Sequence, residues 1–123
     1  MSTTRLPNIL AVDDSPVMQK TIQKILGNTY RVLSVDNALD ALNTIYSEKI
    51  SVMLLDVSMP DIDGLEVCRT IRSLPQFEGL PIIMVTARDK AFDRVQGKMA
   101  GATEYLTKPF SPETLLEVVR RYI

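Results

Sequence analysis

Three carboxylates, one hydroxyl and one ammonium each stand at the end of an apolar run in this sequence. Asp13 and Asp14 follow Asn8-Ile9-Leu10-Ala11-Val12, and Asp56 follows Val52-Met53-Leu54-Leu55. Thr86 ends Pro81-Ile82-Ile83-Met84-Val85, and Lys108 follows Glu104-Tyr105-Leu106-Thr107. If those runs are neighbouring strands of one sheet, the five side chains converge. Two carboxylates ~4 Å apart repel by about 4 kcal/mol at an effective dielectric near 20. A hard divalent cation such as magnesium offsets that repulsion, since it takes oxygen ligands, keeps several waters and binds through one or two carboxylates plus a phosphate oxygen. A carboxylate also acts as a nucleophile toward phosphorus. Such a transfer asks chiefly for positioning and charge stabilisation, which a lysine and a threonine hydroxyl supply to the remaining oxygens.

Each residue taken alone has a plainer reading. Asp13 reads as a helix cap, Asp56 as a turn residue, Thr86 as a strand end and Lys108 as a solvated surface charge. Their placement at four separate strand ends is what selects a shared site. The same clustering predicts that Asp13→Ala raises metal-free stability by relieving repulsion, while weakening metal binding.

The elements that must position these groups alternate along the chain. Continuous apolar runs read as strands covered on both faces, as in parallel sheets. Strands are expected over residues 8–12, Tyr30 to Val35, the run ending at Leu55, the run ending at Thr86, and residues 104–107. Residues 1–7 read as a loose start, and the stretch from Val57 to Gly64 as turn chemistry. Between the strands lie helical patterns. Ser15-Pro16 is a cap followed by proline at the first helical position, then Met18, Ile22, Ile25 and Leu26 repeat until Gly27-Asn28. Asn37 begins a helix with Ala38, Ala41, Leu42 and Ile45 on one face. A third starts near Gly64, carries Leu65, Cys68 and Ile71 inward and stops at Pro75. The fourth spans Asp89 to Ala100 with Ala91, Val95 and Met99 on one side and Gly101 as its cap. Ser111-Pro112 opens the fifth, which runs to the chain end on Leu115, Leu116, Val118, Val119 and Tyr122. Val95, Met99, Leu116 and Val119 are expected in the core. Five strands alternating with five helices imply an α/β fold, a doubly wound five-stranded parallel sheet in one domain over residues 1–123. In such sheets the chemistry sits outside the carboxyl ends of the strands.

Composition narrows the class. The 123 residues suffice for one core, and 46% hydrophobic with 24% charged residues is ordinary for a globular protein. A net charge of −1 gives no support to nucleic-acid binding by bulk charge. No signal-peptide pattern or membrane-length apolar run is visible, and the single Cys68 suits a reducing compartment, so the expected location is cytoplasmic. Cys68 itself reads as a small buried apolar residue. The chain has no histidine, which excludes histidine-based triads and disfavours zinc.

With Asp13-Asp14, Leu54-Leu55-Asp56-Val57-Ser58-Met59-Pro60-Asp61-Ile62-Asp63-Gly64, Thr86-Ala87 and Lys108-Pro109-Phe110 in view, the chain resembles the receiver domain of two-component response regulators from Ile9 to Ile123. The resemblance implies a flavodoxin-like (βα)5 fold with strand order 2-1-3-4-5. It implies Asp56 as phosphoacceptor, modified by a phosphohistidine on a partner histidine kinase or phosphotransfer protein. Magnesium would be held directly by Asp14 and Asp56, through water by Asp13, and by the backbone carbonyl of Ser58; no other cofactor is expected. Thr86 and Lys108 match the phosphoryl-sensing pair, the Lys108–Pro109 bond is expected to be cis, and Tyr105 matches the switch aromatic. Ser58 and Arg88 stand where the family tunes dephosphorylation. The signalling face would be the fourth helix, fifth strand and fifth helix, shifting between two packings to control a downstream protein target. No membrane or direct nucleic-acid contact and no turnover beyond self-catalysed phosphotransfer and autodephosphorylation are expected, in a monomer or a phosphorylation-dependent dimer. The resemblance is to stand-alone chemotaxis or pilus-motility regulators, or to a receiver excised from a larger protein.

Three rivals make different demands. An aspartate-nucleophile phosphatase needs an acid two residues past its nucleophile, where this chain has Ser58. A flavin carrier wants a glycine- or hydroxyl-rich phosphate loop after the first strand, where Asp13 and Asp14 would repel phosphate. A degenerate receiver that only docks partners has no need of the acidic set.

Overall fold

Each of the expected apolar runs forms a strand in the computed structural model, which describes residues 6–59 and 63–123. The strands are β1 (Asn8–Val12), β2 (Arg31–Val35), β3 (Ile50–Leu55), β4 (Ile82–Thr86) and β5 (Glu104–Thr107). The helices between and after them are α1 (Pro16–Leu26), α2 (Ala38–Ser47), α3 (Gly64–Arg72), α4 (Ala91–Met99) and α5 (Pro112–Arg120). All pairings are parallel, in the order β2-β1-β3-β4-β5. Met1 to Arg5 of the loose start, and Pro60, Asp61 and Ile62 of the turn run, lie outside the described residues.

Strand side chains alternate between two cores. Ile9, Ala11, Val52, Leu54, Ile83 and Val85 face one side, where Ile22 and Leu26 of α1 and Leu115, Val118 and Val119 of α5 cover them. Leu10, Val12, Met53, Leu55, Ile82 and Met84 face the other, under Ala41 and Ile45 of α2 and Val67, Cys68 and Ile71 of α3. Burial on both faces is why these strands read as unbroken apolar runs. Burial also pushes the Cys68 thiol up, against the lowering pull of Arg72 and Arg69, and suits it to its packing role.

Helix starts follow local chemistry. The side chains of Ser15, Asn37, Asp63 and Ser111 each accept a backbone N–H in the first turn of α1, α2, α3 and α5. α4 begins at Lys90 without such a cap. Its far end meets Gly101, whose φ of +104° ends the helix where a side chain would be strained. Arg72 ties that end down. It donates to the carbonyls of Gly101 at 2.8 Å and Phe77 at 2.9 Å and to Thr103 Oγ1 at 3.1 Å.

Several boundaries move. β2 starts at Arg31, with Tyr30 buried just before it. Pro75 opens a 3-10 turn over Pro75–Phe77, after α3 has already ended at Arg72. α5 stops at Arg120, short of the chain end. The larger correction concerns α4, which is shorter than the expected 89–100 span. Val95 and Met99 are not core: they are 55% and 80% exposed, beside exposed Phe92. The inward side is instead Gly97 and Ala100, with Gln96 half-buried. A Cβ on Gly97 would lie 2.9 Å from Met84 Sδ and 3.0 Å from the Tyr105 ring. A helix that approaches through a glycine needs no large apolar residue on its inner face, so the apolar stripe is left outside. Val119 is buried as expected, and Leu116 half-buried.

This difference is measurable by urea unfolding. Leu115→Ala, at a fully buried position, should lower stability by about 2–5 kcal/mol. Met99→Ala should stay within ~0.5 kcal/mol of the parent, and a comparable loss at both positions would contradict the outward placement of α4's stripe.

Candidate functional site

Strand register brings the acidic residues together. Val12 pairs with both Val35 and Leu55, so Asp13 and Asp56 leave adjacent strands at the same level. Backbone bonds continue the ladder one step further: Asp56 N donates to Val12 O at 3.0 Å and Asp13 N to Val35 O at 3.1 Å. On the other side, Thr86 pairs with Thr107, and Lys108 N donates to Thr86 O at 2.8 Å.

The side chains then meet. Lys108 Nζ lies 2.9 Å from Asp13 Oδ2 and 3.3 Å from Asp56 Oδ2, bridging two carboxylates that are almost fully buried. Asp13 Oδ1 accepts from Ser15 N at 2.9 Å. Asp56 Oδ1 accepts from Ser58 N at 2.8 Å and Ser58 Oγ at 2.6 Å. Asp14 is exposed, yet Asp13, Asp14 and Asp56 each offer a carboxylate oxygen within 4.8 Å of the others. Ser15, not Asp13, is the cap of α1; Asp13 is aimed into the site.

One ammonium faces three carboxylates, so the set remains short of positive charge. At 4.8 Å an uncompensated carboxylate pair repels by about 3–4 kcal/mol at an effective dielectric of ~20. An all-oxygen, net-negative and partly exposed donor set fits magnesium, which takes carboxylate oxygens and keeps waters. Burial alone would lower the pKa of Lys108. The hydrogen bond to Asp13 and the charges of Asp56 and Asp13 outweigh it, and the net effect is to raise it.

The remaining expected residues lie along one side of this set. Thr86 is fully buried, and its Oγ1 accepts from Arg88 N at 3.2 Å. Tyr105 donates its hydroxyl to Arg88 O at 2.7 Å. Its ring lies against Gly97, with the Arg94 guanidinium carbon 5.2 Å from its centroid. Burial foremost, and then the Asp93 charge, raise the Tyr105 pKa despite Arg94 and Arg88. Beside the ring is a cavity of about 100 Å³ lined by Val57, Leu65, Phe92 and Gln96. No hydrogen bond among the described residues joins Thr86 or Tyr105 to the acidic set. The Lys108–Pro109 peptide bond is cis.

Two contacts at the site escaped sequence reasoning. One is the bond from the Ser58 hydroxyl to Asp56; the sequence points to the Ser58 backbone carbonyl and to its place two residues past Asp56, and not to this contact. The other is Gln19, whose amide reaches Asp13 O at 2.6 Å and Val35 O at 3.4 Å. Its signal in the sequence is a long polar side chain directly after Met18 on a helix face that otherwise turns inward.

A parallel sheet of this order, with acids and a lysine converging at its carboxyl edge, defines a class. The family model of the response regulator receiver domain matches residues 9–120, and the chain belongs to that family. It is 42% identical over 113 residues to the response regulator MprA of Mycobacterium leprae (strain TN), covering 91% of this chain and 49% of that protein. The chain thus spans about half the length of such relatives. Among solved structures it is similar to chemotaxis protein CheY4 of Vibrio cholerae, with 33% identity, a TM-score of 0.90 and coverage of 96% of this chain and 99% of that one. It is also similar to the receiver domain of sensor histidine kinase PA1611 from Pseudomonas aeruginosa PAO1, with 32% identity, a TM-score of 0.86 and coverage of 97% and 98%. That structure has a magnesium ion coordinated in its active site cleft. No helix among the described residues is long and apolar enough to cross a membrane.

The ion pairs revise which carboxylate is costly. Asp13→Ala would remove the shorter of the two Lys108 ion pairs and the acceptor of Ser15 N, leaving Lys108 with Asp56 alone, so it should lower metal-free stability, contrary to the expectation from charge counting. Asp14, with no ion pair among the described residues, is the one whose removal relieves repulsion. Asp14→Asn should raise the metal-free melting temperature and weaken magnesium binding; a lower melting temperature would contradict this assignment.

Lys108→Met should lower metal-free stability by roughly 3 kcal/mol, read by urea unfolding in chelator. Because the fold raises the Lys108 pKa, its contribution is complete below the ordinary lysine value of 10.5. It is lost as pH climbs through the raised value. The gap between wild type and variant should therefore hold through neutral pH and close only above about pH 10.5; closure near neutrality would contradict it.

Proposed function

We propose that this receiver domain accepts a phosphoryl group on Asp56 from a phosphohistidine of a partner histidine kinase or phosphotransfer protein, in a magnesium-dependent reaction. The observation that carries the reading is Lys108 Nζ shared between Asp13 and Asp56, with Asp14 beside them at the open edge. A carboxylate oxygen of Asp56 attacks phosphorus. The new O–P bond forms as the P–N bond to the donor imidazole breaks, and that bond's electron pair leaves on the ring nitrogen. Asp13, Asp14, Asp56 and the Ser58 carbonyl would hold magnesium, which supplies neutralising charge to the acceptor and phosphoryl oxygens.

The chain's own residues do the rest. Lys108 exchanges Asp56 Oδ2 for a phosphoryl oxygen and keeps its bond to Asp13. Ser58 Oγ yields its place on Asp56 Oδ1. Thr86 Oγ1 accepts from Arg88 N, which leaves its own hydrogen for the phosphoryl group. Moving Thr86 that way pulls on Arg88, whose carbonyl is held by Tyr105. The backbone of one residue thus links the sensing hydroxyl to the aromatic ring against α4. The α4-β5-α5 face, with its outward stripe of Phe92, Val95 and Met99, would carry the change to a downstream protein.

Incubation with acetyl phosphate and magnesium should add one phosphoryl group by intact mass, with chelator blocking it and Asp56→Asn abolishing it. A wild-type protein that takes no label would overturn phosphotransfer and favour a domain that only docks partners.

A further inference from the structure

We propose that Gln19 is a positioning residue that sets both the affinity and the ion selectivity of the Asp13-Asp14-Asp56 set, an inference that rests on the metal-binding reading above. Its side-chain amide donates to Asp13 O at 2.6 Å and to Val35 O at 3.4 Å. Both acceptors are carbonyls, so the amide nitrogen faces them and a flipped amide would set oxygen against oxygen. Val35 O also accepts from Asp13 N at 3.1 Å. Gln19 therefore closes a ring around Asp13 that joins α1 to the ends of β1 and β2.

The position of that ring matters. β1 ends at Val12, and Val12 O takes the donor from Asp56. Asp13 O lies one residue beyond the ladder, and Gln19 supplies the donor the sheet does not. That carbonyl belongs to the peptide joining Asp13 to Asp14. Fixing its plane fixes the direction in which Asp14 leaves the strand. Asp13 is independently held through both carboxylate oxygens, by Ser15 N and Lys108. Asp14 is exposed and has no side-chain hydrogen bond or ion pair among the described residues. Repulsion from Asp13 and Asp56 drives it outward, so its place within 4.8 Å of them depends on its backbone. Gln19 is the side chain that holds that backbone.

Ion selectivity follows from the same geometry. Magnesium demands short, near-octahedral ligation, whereas calcium accepts longer and looser arrangements. A peptide plane set free to rock costs magnesium more than calcium. Residues that orient ligands without touching the metal typically contribute tenfold or more to affinity.

The test uses the whole chain and calorimetric titration with magnesium and with calcium, beside metal-free melting. Gln19→Leu removes both donors at similar volume. It should raise the magnesium dissociation constant about tenfold and the calcium constant distinctly less. Gln19→Glu keeps the length but loses the amide donors, and its added negative charge by itself attracts cations. Weaker magnesium binding there as well would mark geometry as the cause. Unchanged magnesium affinity in Gln19→Leu, an equal loss for both ions, or tighter magnesium binding in Gln19→Glu would overturn the assignment. A wild type that binds no magnesium would overturn the metal-binding reading along with it. Binding by the wild type that Gln19→Leu leaves intact would overturn only the role of Gln19.

Discussion

A single ammonium shared by two buried carboxylates organises this molecule. Lys108 is separated from Asp13 by 95 positions, yet it lies 2.9 Å from that residue and 3.3 Å from Asp56. The pairing exists because β1, β3, β4 and β5 run parallel and end at one edge. The core beneath earns no chemistry of its own; it sets the level at which each strand stops. Removing water from carboxylates is costly unless they are paired and hydrogen-bonded. Here Ser15 N, Ser58 N, Ser58 Oγ and Lys108 meet that requirement for Asp13 and Asp56. Asp14 is left with water and the edge of the set. The result is a site that is stable while still short of positive charge.

Most of the sheet was legible from sequence because strands buried on both faces leave continuous apolar runs. Asp13, Asp56 and Lys108 were legible as a group for the same reason: each follows such a run. Helix starts at Ser15, Asn37 and Ser111 were legible from capping chemistry. α4 was misread because periodicity shows which residues share a face and is silent about which way that face points. Ala91, Val95 and Met99 do recur at helical spacing, but Gly97 decides the orientation by letting the helix back lie on Met84 and Tyr105. The role of Lys108 as a counter-charge in the absence of metal was also hidden, since charge counting along a chain cannot see a contact between positions 13 and 108. Gln19 escaped because its partners are backbone carbonyls: its place beside Met18 marks it as turned inward, and nothing in the sequence names what it meets there.

The two sides of the sheet are built differently. α1 and α5 cover theirs with large aliphatic residues, and α2 and α3 cover part of the other with Ile45, Val67 and Ile71 beside the smaller Ala41 and Cys68. α4 alone contacts β5 through a glycine and an aromatic ring, with a small cavity at its side. Packing of that kind has fewer dispersion contacts to lose, and it lies next to the hydrogen-bonded link from Thr86 to Tyr105 through Arg88.

Arg72 adds a mechanical consequence. Its guanidinium pins the far end of α4 by gripping Gly101, Phe77 and Thr103, while the opposite end starts uncapped at Lys90. A rod clamped at one end and loosely tethered at the other tilts instead of sliding. Displacement of this helix would be greatest near Phe92 and fade toward Met99, with Arg72 as the fulcrum.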